Sequence, residues 1–522
     1  MKLSGIFWLS ALVVTLTLLS CQDEPYNPNK YLTLEQFASM DTAAYRVNSH
    51  RIREEIGKLC SEDKDSMTAD YRTRSYYLQK GDFLWIDRHG VDGRADTLLA
   101  YLNTVVRMGF SRSQFRAGQI ELDLQRIRAL DVDRDENQIN KVLARLEYNL
   151  TKAYLRYATG QRFGFVNPRY VFNRLDVLEK DSLHVSYRGL FDIKMEHGGK
   201  LFYATALRKI RTDSVGVFLH ECQPSSPLYR RFLTMLNDES VPLNMKPKIL
   251  VNMERCRWRL HDYPRGHAKY VLVNIPSFHL RAIDGDKELE MRIGCGSMET
   301  KTPLLTSYIK RMDINPQWIV PRSIIKNSMM RHAGNAFYFQ SNHYFARNRK
   351  TGETLPPERI SWGVLNDDNF LIIQEGGEHN SLGRIIFRFD NSFSVYLHDT
   401  NSRGVFSREE RGVSHGCVRV ERPFDLAVFL FDDKNDKRID KVRYSMSADV
   451  SSLGVSGRRK RAEEIPDTLN RSMLIGSVEV TPKIPVFITY FTLYPDKEDK
   501  LQEYADVYGY DSVIYRELNN YR

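Results

Sequence analysis

The spacing of apolar positions changes near Lys248, and with it the kind of element the chain predicts. Residues 137–160 put Ile139, Val142, Leu143, Leu146, Leu150, Ala153, Tyr154 and Tyr157 at three- and four-residue intervals. That stripe predicts a helix, with Gly160 as its stop. Ala95 to Met108 shows the same spacing and ends at Gly109. Past Lys248 the apolar runs become short, β-branched or aromatic, and bounded by Pro, Asn and Gly. Tyr270 to Ile275 and Pro485 to Phe491 read as strands. Residues 385–398 read as a hairpin, IIFRF and FSVYLH around a turn at Asp390, Asn391 and Ser392. Strand alternation would then put Phe393, Val395 and Leu397 on one face, and Tyr396 and His398 on the other. The polar stretch 432–470, with Arg458, Arg459, Lys460 and Arg461 in a row, reads as an exposed loop. The pattern is α+β, a helical first half followed by a mostly-β second half.

At 522 residues, two or three domains are expected. The hydrophobic fraction of 42% and charged fraction of 27% describe a chain able to bury a core. A net charge of +10 is spread over that length, with no basic groove interleaved with aromatics and no nucleic-acid motif. A solvated basic surface accounts for it, and no nucleic-acid partner is expected. The first twenty residues change the picture more. Lys2 precedes an apolar run from Ile6 to Ser20, the length of a secretory h-region and short for a membrane span. Leu18-Leu19-Ser20-Cys21 is similar to a bacterial lipobox, which implies a diacylated Cys21. Residues 1–20 are then a lipoprotein signal peptide and 21–30 a solvated tether. The rest belongs on the periplasmic side of a bacterial membrane, the outer favoured over the inner.

Chemistry concentrates between Val395 and Val420. His398 is followed, after fifteen residues, by Ser414-His415-Gly416-Cys417. A cysteine attacks as thiolate, and a neighbouring imidazole provides the means to form one at neutral pH. Glycine beside the nucleophile lets backbone N–H groups aim at a developing oxyanion. Pro423 can open a helix that would put Cys417 near a helix N-terminus. A metal site competes poorly, because the two histidines and one cysteine lack a fourth ligand at a zinc spacing.

This motif resembles that of the YkuD-type L,D-transpeptidases, and further segments resemble the large, YcbB-like members of that family. These are Asn252-Met253-Glu254-Arg255 with Arg257-Trp258, Asn315-Pro316-Gln317-Trp318 with Val320-Pro321, Asn380-Ser381-Leu382-Gly383, and Asp506-Val507-Tyr508-Gly509. Arg419 departs from the asparagine frequent two positions after the cysteine, but matches the large group. The resemblance implies a helical scaffold domain over 31–245 and a mostly-β catalytic domain over 246–522, with a capping insertion at 321–360. The small peptidoglycan-binding module of larger relatives has no room between 229–237 and 249–258.

By the same resemblance, Cys417 attacks a tetrapeptide stem, forms a thioester and passes it to a second stem's amine, giving a 3→3 cross-link. His398 is the base, oriented by the carbonyl of Asp399. Gly416 and Cys417 supply oxyanion N–H groups, and His415 shapes that side. Arg419, Ser414, Asp399 and Thr400 are expected substrate contacts. No cofactor or metal is implied, and the partners are peptidoglycan stems and, through the N-terminal lipid, a membrane. Hydrolysis of the same thioester, and a non-catalytic stem-binding lipoprotein, remain as alternatives. Cys60, Cys222, Cys256 and Cys295 could pair in an oxidising compartment, although Cys256 reads as a free core thiol.

Overall fold

The computed structural model describes residues 46–448 and 469–522, apart from Arg88, Arg134 and 181–183. The leader, Cys21, the tether and the basic run at 458–461 lie outside the described residues. The chain divides into two compact units. The first takes in the chain up to Val106, Phe110–Ala158 and Gly199–Gln223, and the second Arg107–Gly109, Thr159–Gly198 and Pro224–Arg522. The sequence-based boundary at 245/246 differs, and the reason is packing. The helices Pro227–Leu236 and Lys246–Arg257 form a hairpin whose Tyr229, Phe232, Ile249, Leu250 and Met253 share one core with Leu493.

The first unit is helical around α1, Ile139–Phe163, whose last turn from Thr159 belongs to the second unit. Its predicted stripe is only part of what it buries. Ala144, Leu146, Leu150, Leu155, Tyr157 and Ala158 are all fully enclosed, so the helix is covered almost all round. Gly160 does not stop it. That glycine is a point of close approach, where a Cβ would stand 2.1 Å from the Phe165 ring. Gly164, at φ +95°, ends the helix instead. Glu147 is the polar anchor of α1. Its buried carboxylate accepts N–H groups from Leu84 (2.6 Å), Trp85 (2.9 Å) and Ile86 (3.1 Å), and the Tyr77 hydroxyl at 2.7 Å. It thereby satisfies three backbone donors of a buried segment, the last of them at the start of the short strand Ile86–Asp87.

The second unit is built on a closed eight-stranded barrel. Its strands are β1 (Lys269–Asn274), β2 (His279–Asp284), β3 (Lys287–Gly296), β4 (Leu304–Ile314), β5 (Ile385–Phe389), β6 (Leu397–His398), β7 (Val418–Val420) and β8 (Ser477–Thr489). Around the barrel they run β5-β6-β7-β3-β2-β1-β8-β4, and β4 pairs β5 to close the ring. Closure leaves no free edge among these eight strands. Two pairs are parallel, β1 with β8 and β6 with β7. In the second, Leu397 stands opposite Val418 and His398 opposite Arg419. Leu397, Val418 and Val420 are wholly buried, each side chain stabilising by about 1.5–3 kcal/mol, which holds two very short strands in place.

Several sequence expectations shift here. The 385–398 hairpin forms, but its second strand is only Leu397–His398; Phe393 and Val395 lie in the connecting loop. Asn391 organises that loop, accepting from the N–H groups of Phe393 and Val395 and donating to the carbonyls of Phe389 and Val395. The insertion between β4 and β5 is larger than 321–360, because Trp318 pairs with Gln374 and the flanking strands belong to its four-stranded sheet. Its core is separate, with Val320, Ile325, Phe339, Tyr344, Ile360 and Ile372. Part of the supposed loop 432–470 is a helix, Arg438–Ser447.

Replacing Glu147 by alanine would leave three buried N–H groups unpaired, at an expected cost of about 3 kcal/mol or more. Urea unfolding of the full chain reads this as a lowered midpoint. A loss under about 0.5 kcal/mol, the size of a surface substitution, would refute the anchoring role.

Candidate active site

The register of β6 against β7 decides which side chains meet. Alternation sends Leu397 and Val418 into the barrel, so Tyr396, His398, Cys417 and Arg419 project from the other face. Cys417 lies opposite Tyr396, and His398 is its diagonal neighbour across the pair. The Tyr396 and His398 rings stand 6.0 Å apart, edge to face. The helix opened by Pro423, Pro423–Leu430, does form. It does not serve Cys417, because β7 and the turn after it carry the chain away first.

The Ser414–Cys417 turn is held by its own polar groups. Gly416 sits at φ +117°, a conformation side-chain-bearing residues rarely adopt. The Ser414 hydroxyl donates to the Cys417 carbonyl at 2.5 Å and accepts the Gly416 N–H at 3.1 Å. Gly416 therefore has no N–H left for an oxyanion, contrary to the sequence-based expectation. The buried Ser414 is likewise a turn builder rather than a substrate contact. Ser394, at φ +56°, turns its carbonyl to the thiol, which donates to it at 3.9 Å. Such a strained residue beside a reactive group is where backbone strain tends to collect.

His398 is buried, and its Nδ1 hydrogen-bonds the Asp399 carbonyl. Asp399 and Thr400 are each 2% exposed. The Asp399 carboxylate accepts the Arg384 N–H at 2.8 Å and makes an ion-pair contact with Arg403 at 2.8 Å. Thr400 accepts the Ser402 N–H at 3.1 Å. Both hold the loop behind the histidine through these bonds, whereas the sequence expects them as substrate contacts. Gly383, at φ +64°, is required there, since a Cβ would come within 2.4 Å of the Asp399 carboxyl. His415 is exposed as a residue, and partial desolvation of its ring, with the Arg419 charge, lowers its pKa.

Burial sets the charge state of the pair. Burial pushes the Cys417 thiol up to about 11, against the pull of the Tyr396 N–H and the Arg419 guanidinium. Burial also brings His398 down to about 4. Arg419 adds to that shift, while the carbonyls of Asp399 and Leu382 oppose it. At neutral pH the pair is thiol and imidazole, both uncharged. The arrangement suits a base that accepts the proton as the sulfur attacks. Arg419 is mostly enclosed, with burial lowering its pKa, and its Nε is buried without a hydrogen-bond partner. Among the described residues no carboxylate forms an ion pair with it. A guanidinium desolvated beside Cys417 and left unpaired is suited to an anionic group on a ligand.

Comparison with known proteins gives a family for the stretch that carries these residues. Residues 268–432 match the YkuD L,D-transpeptidase catalytic domain family, and residues 70–236 match a scaffold domain family. The barrel unit carries an L,D-transpeptidase catalytic domain. A Haemophilus influenzae protein named "Putative L,D-transpeptidase" is 27% identical over 312 residues, 59% of this chain. The matched stretch spans 58% of that protein's own length.

The Ser414–Cys417 turn is also braced by residues outside the motif. Thr300 donates to the Ser414 carbonyl at 2.7 Å, and Thr302 to the Gly416 carbonyl at 2.8 Å. Neither threonine carries a local signal; Tyr508, which completes their network, lay in one of the family-like segments. A cavity of about 550 Å³, lined by Tyr270, Phe487, Phe491 and Tyr494, lies against β1 and β8, across the barrel from Cys417. It contains none of the groups described above. Among the described residues Cys60, Cys222, Cys256 and Cys295 form no disulfide, and Cys256 is partly buried. Among the described residues no three His, Cys, Asp or Glu side chains converge as metal ligands.

His398 has a folded pKa of about 4, below its ordinary 6.5. As pH falls through that window the unfolded chain takes up a proton that the folded chain refuses, so stability is lost on acidification and complete above about 6.5. The stability gap between wild type and His398→Asn should therefore be constant above pH 6.5 and change progressively down to pH 4. A gap independent of pH in urea titrations would contradict the buried neutral imidazole.

Proposed function

We propose that the protein is a peptidoglycan L,D-transpeptidase that works through a thioester on Cys417. The observation carrying this reading is the diagonal placement of Cys417 and a neutral, carbonyl-anchored His398 on one face of β6 and β7. With Nδ1 donating to Asp399, Nε2 holds the lone pair that can accept the thiol proton. The sulfur attacks the carbonyl between the third stem residue, a diamino acid, and D-alanine, and His398 takes the proton. The tetrahedral oxyanion is stabilised by the Cys417 N–H. Collapse breaks the C–N bond, and the imidazolium returns its proton to the departing D-alanine amine, leaving the thioester.

In the second half, the side-chain amine of another stem attacks the thioester and His398 accepts its proton. Expulsion of the sulfur, reprotonated by His398, gives a 3→3 cross-link. Arg419 pairs with a stem carboxylate, which supplies the anion its desolvated guanidinium lacks. His415 lines the exposed side of the turn. The inserted subdomain between β4 and β5 caps the substrate, and excluding water would favour amine over hydrolysis. The chain is held on the periplasmic side of a bacterial membrane by a lipid on Cys21.

Incubating the protein with disaccharide-tetrapeptide and weighing the products tests the chemistry. A cross-linked dimer, formed with loss of one D-alanine, is expected; tripeptide as the sole product would make the protein a carboxypeptidase instead. Cys417→Ala should abolish both the dimer and any covalent carbapenem adduct while remaining folded. An adduct persisting in that variant would move the nucleophile elsewhere. In the host, Cys21→Ser should abolish palmitate labelling, and retained label would sink the anchor assignment.

A further inference from the structure

The backbone of the nucleophile turn has four polar groups around Gly416 and Cys417, and three are committed. The Gly416 N–H goes to Ser414, the Gly416 carbonyl accepts from Thr302, and the Cys417 carbonyl accepts from Ser414. What remains is the Cys417 N–H. It belongs to the same planar peptide as the Gly416 carbonyl, and the two point in opposite directions. Whatever fixes that carbonyl therefore aims the N–H.

Thr302 fixes it, and Thr302 is itself fixed. Its fully buried hydroxyl accepts the Gly296 N–H at 2.9 Å, so its proton is committed to the Gly416 carbonyl. Tyr508, 3% exposed, closes the loop behind it. The Tyr508 oxygen accepts the Thr302 N–H at 3.1 Å and donates to the Gly296 carbonyl at 2.7 Å. The Thr302 hydroxyl is thus held with one proton direction, and the Tyr508 hydroxyl, whose longer alternative acceptor is Cys295 Sγ at 3.5 Å, joins it in an enclosed network whose members strengthen one another. Ser297 N–H and Thr300 brace the other end of the turn through the Ser414 carbonyl.

We infer that Thr302 and Tyr508 are positioning residues for acyl transfer, which orient the Gly416–Cys417 peptide so that its N–H meets the tetrahedral oxyanion. The inference rests on the proposed cysteine acyl-transfer reading. It separates two reactions of the same sulfur. Acylation passes through an oxyanion and needs the aimed N–H, whereas alkylation by iodoacetamide is a displacement with no oxyanion.

The experiment compares the two rates in the full chain, with Cys417 followed by peptide mapping. Thr302→Val keeps the side chain's shape and removes its hydroxyl; carbapenem acylation should fall roughly 10²-fold while alkylation at pH 9 changes no more than about twofold. Thr302→Ser should recover most of the acylation rate. Tyr508→Phe should also lower acylation selectively, and it carries the same comparison if Thr302→Val fails to fold. Acylation unchanged in both variants, or acylation and alkylation falling in parallel, would overturn the inference. Failure of the cysteine acyl-transfer reading itself is told apart on the wild type, which would then form neither carbapenem adduct nor cross-linked product.

Discussion

The parallel pairing of Leu397 with Val418 is the constraint on which the site depends. Two strands of two and three residues complete the barrel between β5 and β3, and their register decides what faces outward. A slip of one residue would turn His398 and Cys417 into the core and bring Leu397 and Val418 to the surface, at the cost of the buried apolar contacts that hold these strands. The hydrophobic core thus enforces catalytic geometry. Every other device around the site, from the Asn391 loop to the Asp399 corner, trims directions within that frame.

Burial has a second consequence, which sets the style of chemistry. The same enclosure that fixes His398 and Cys417 removes solvent from their charged forms, and it outweighs the help that Arg419 and the Tyr396 N–H give the thiolate. A resident ion pair is therefore disfavoured, and proton transfer has to accompany attack on a bound acyl group. Arg419 bears the opposite imbalance: it stays a cation, desolvated and without an anion of its own among the described residues. An arriving carboxylate would relieve that cost and at the same moment register the substrate against the sulfur. Reactivity and recognition then rest on one electrostatic asymmetry.

Function also explains where the structure spends glycine and strain. Gly416 and Gly383 occupy left-handed conformations at the nucleophile turn and beside Asp399, and Ser394 is forced into one beneath the thiol. The inserted subdomain, with its own core, joins the barrel through Asn315 and the Asn380–Gly383 segment, whose Asn380 side chain ties down the Pro316, Gln374 and Glu375 carbonyls. That corner leads directly into the backbone supporting His398. The connection places a separately packed element next to His398.

The amino-acid order determined what is local or periodic. The stripe of α1, the β-branched runs of β1 and β8, and the Ser414-His415-Gly416-Cys417 turn with His398 upstream were all legible, because each is written within a few residues. Tertiary structure decided the rest. Gly160 looks like a helix stop by composition, yet only the Phe165 ring against it and the positive φ at Gly164 show where α1 ends. The unit boundary and the extent of the insertion follow from which apolar faces share a core, a fact about contacts distant in sequence. Ser414, Asp399 and Thr400 carry chemistry suited to substrate, and only their buried hydrogen bonds assign them to the scaffold. Thr302 and Tyr508 stand more than 200 residues apart and meet around Gly296. No local pattern can encode that meeting, because the spent and unspent donors of a turn are known only once every partner is in place.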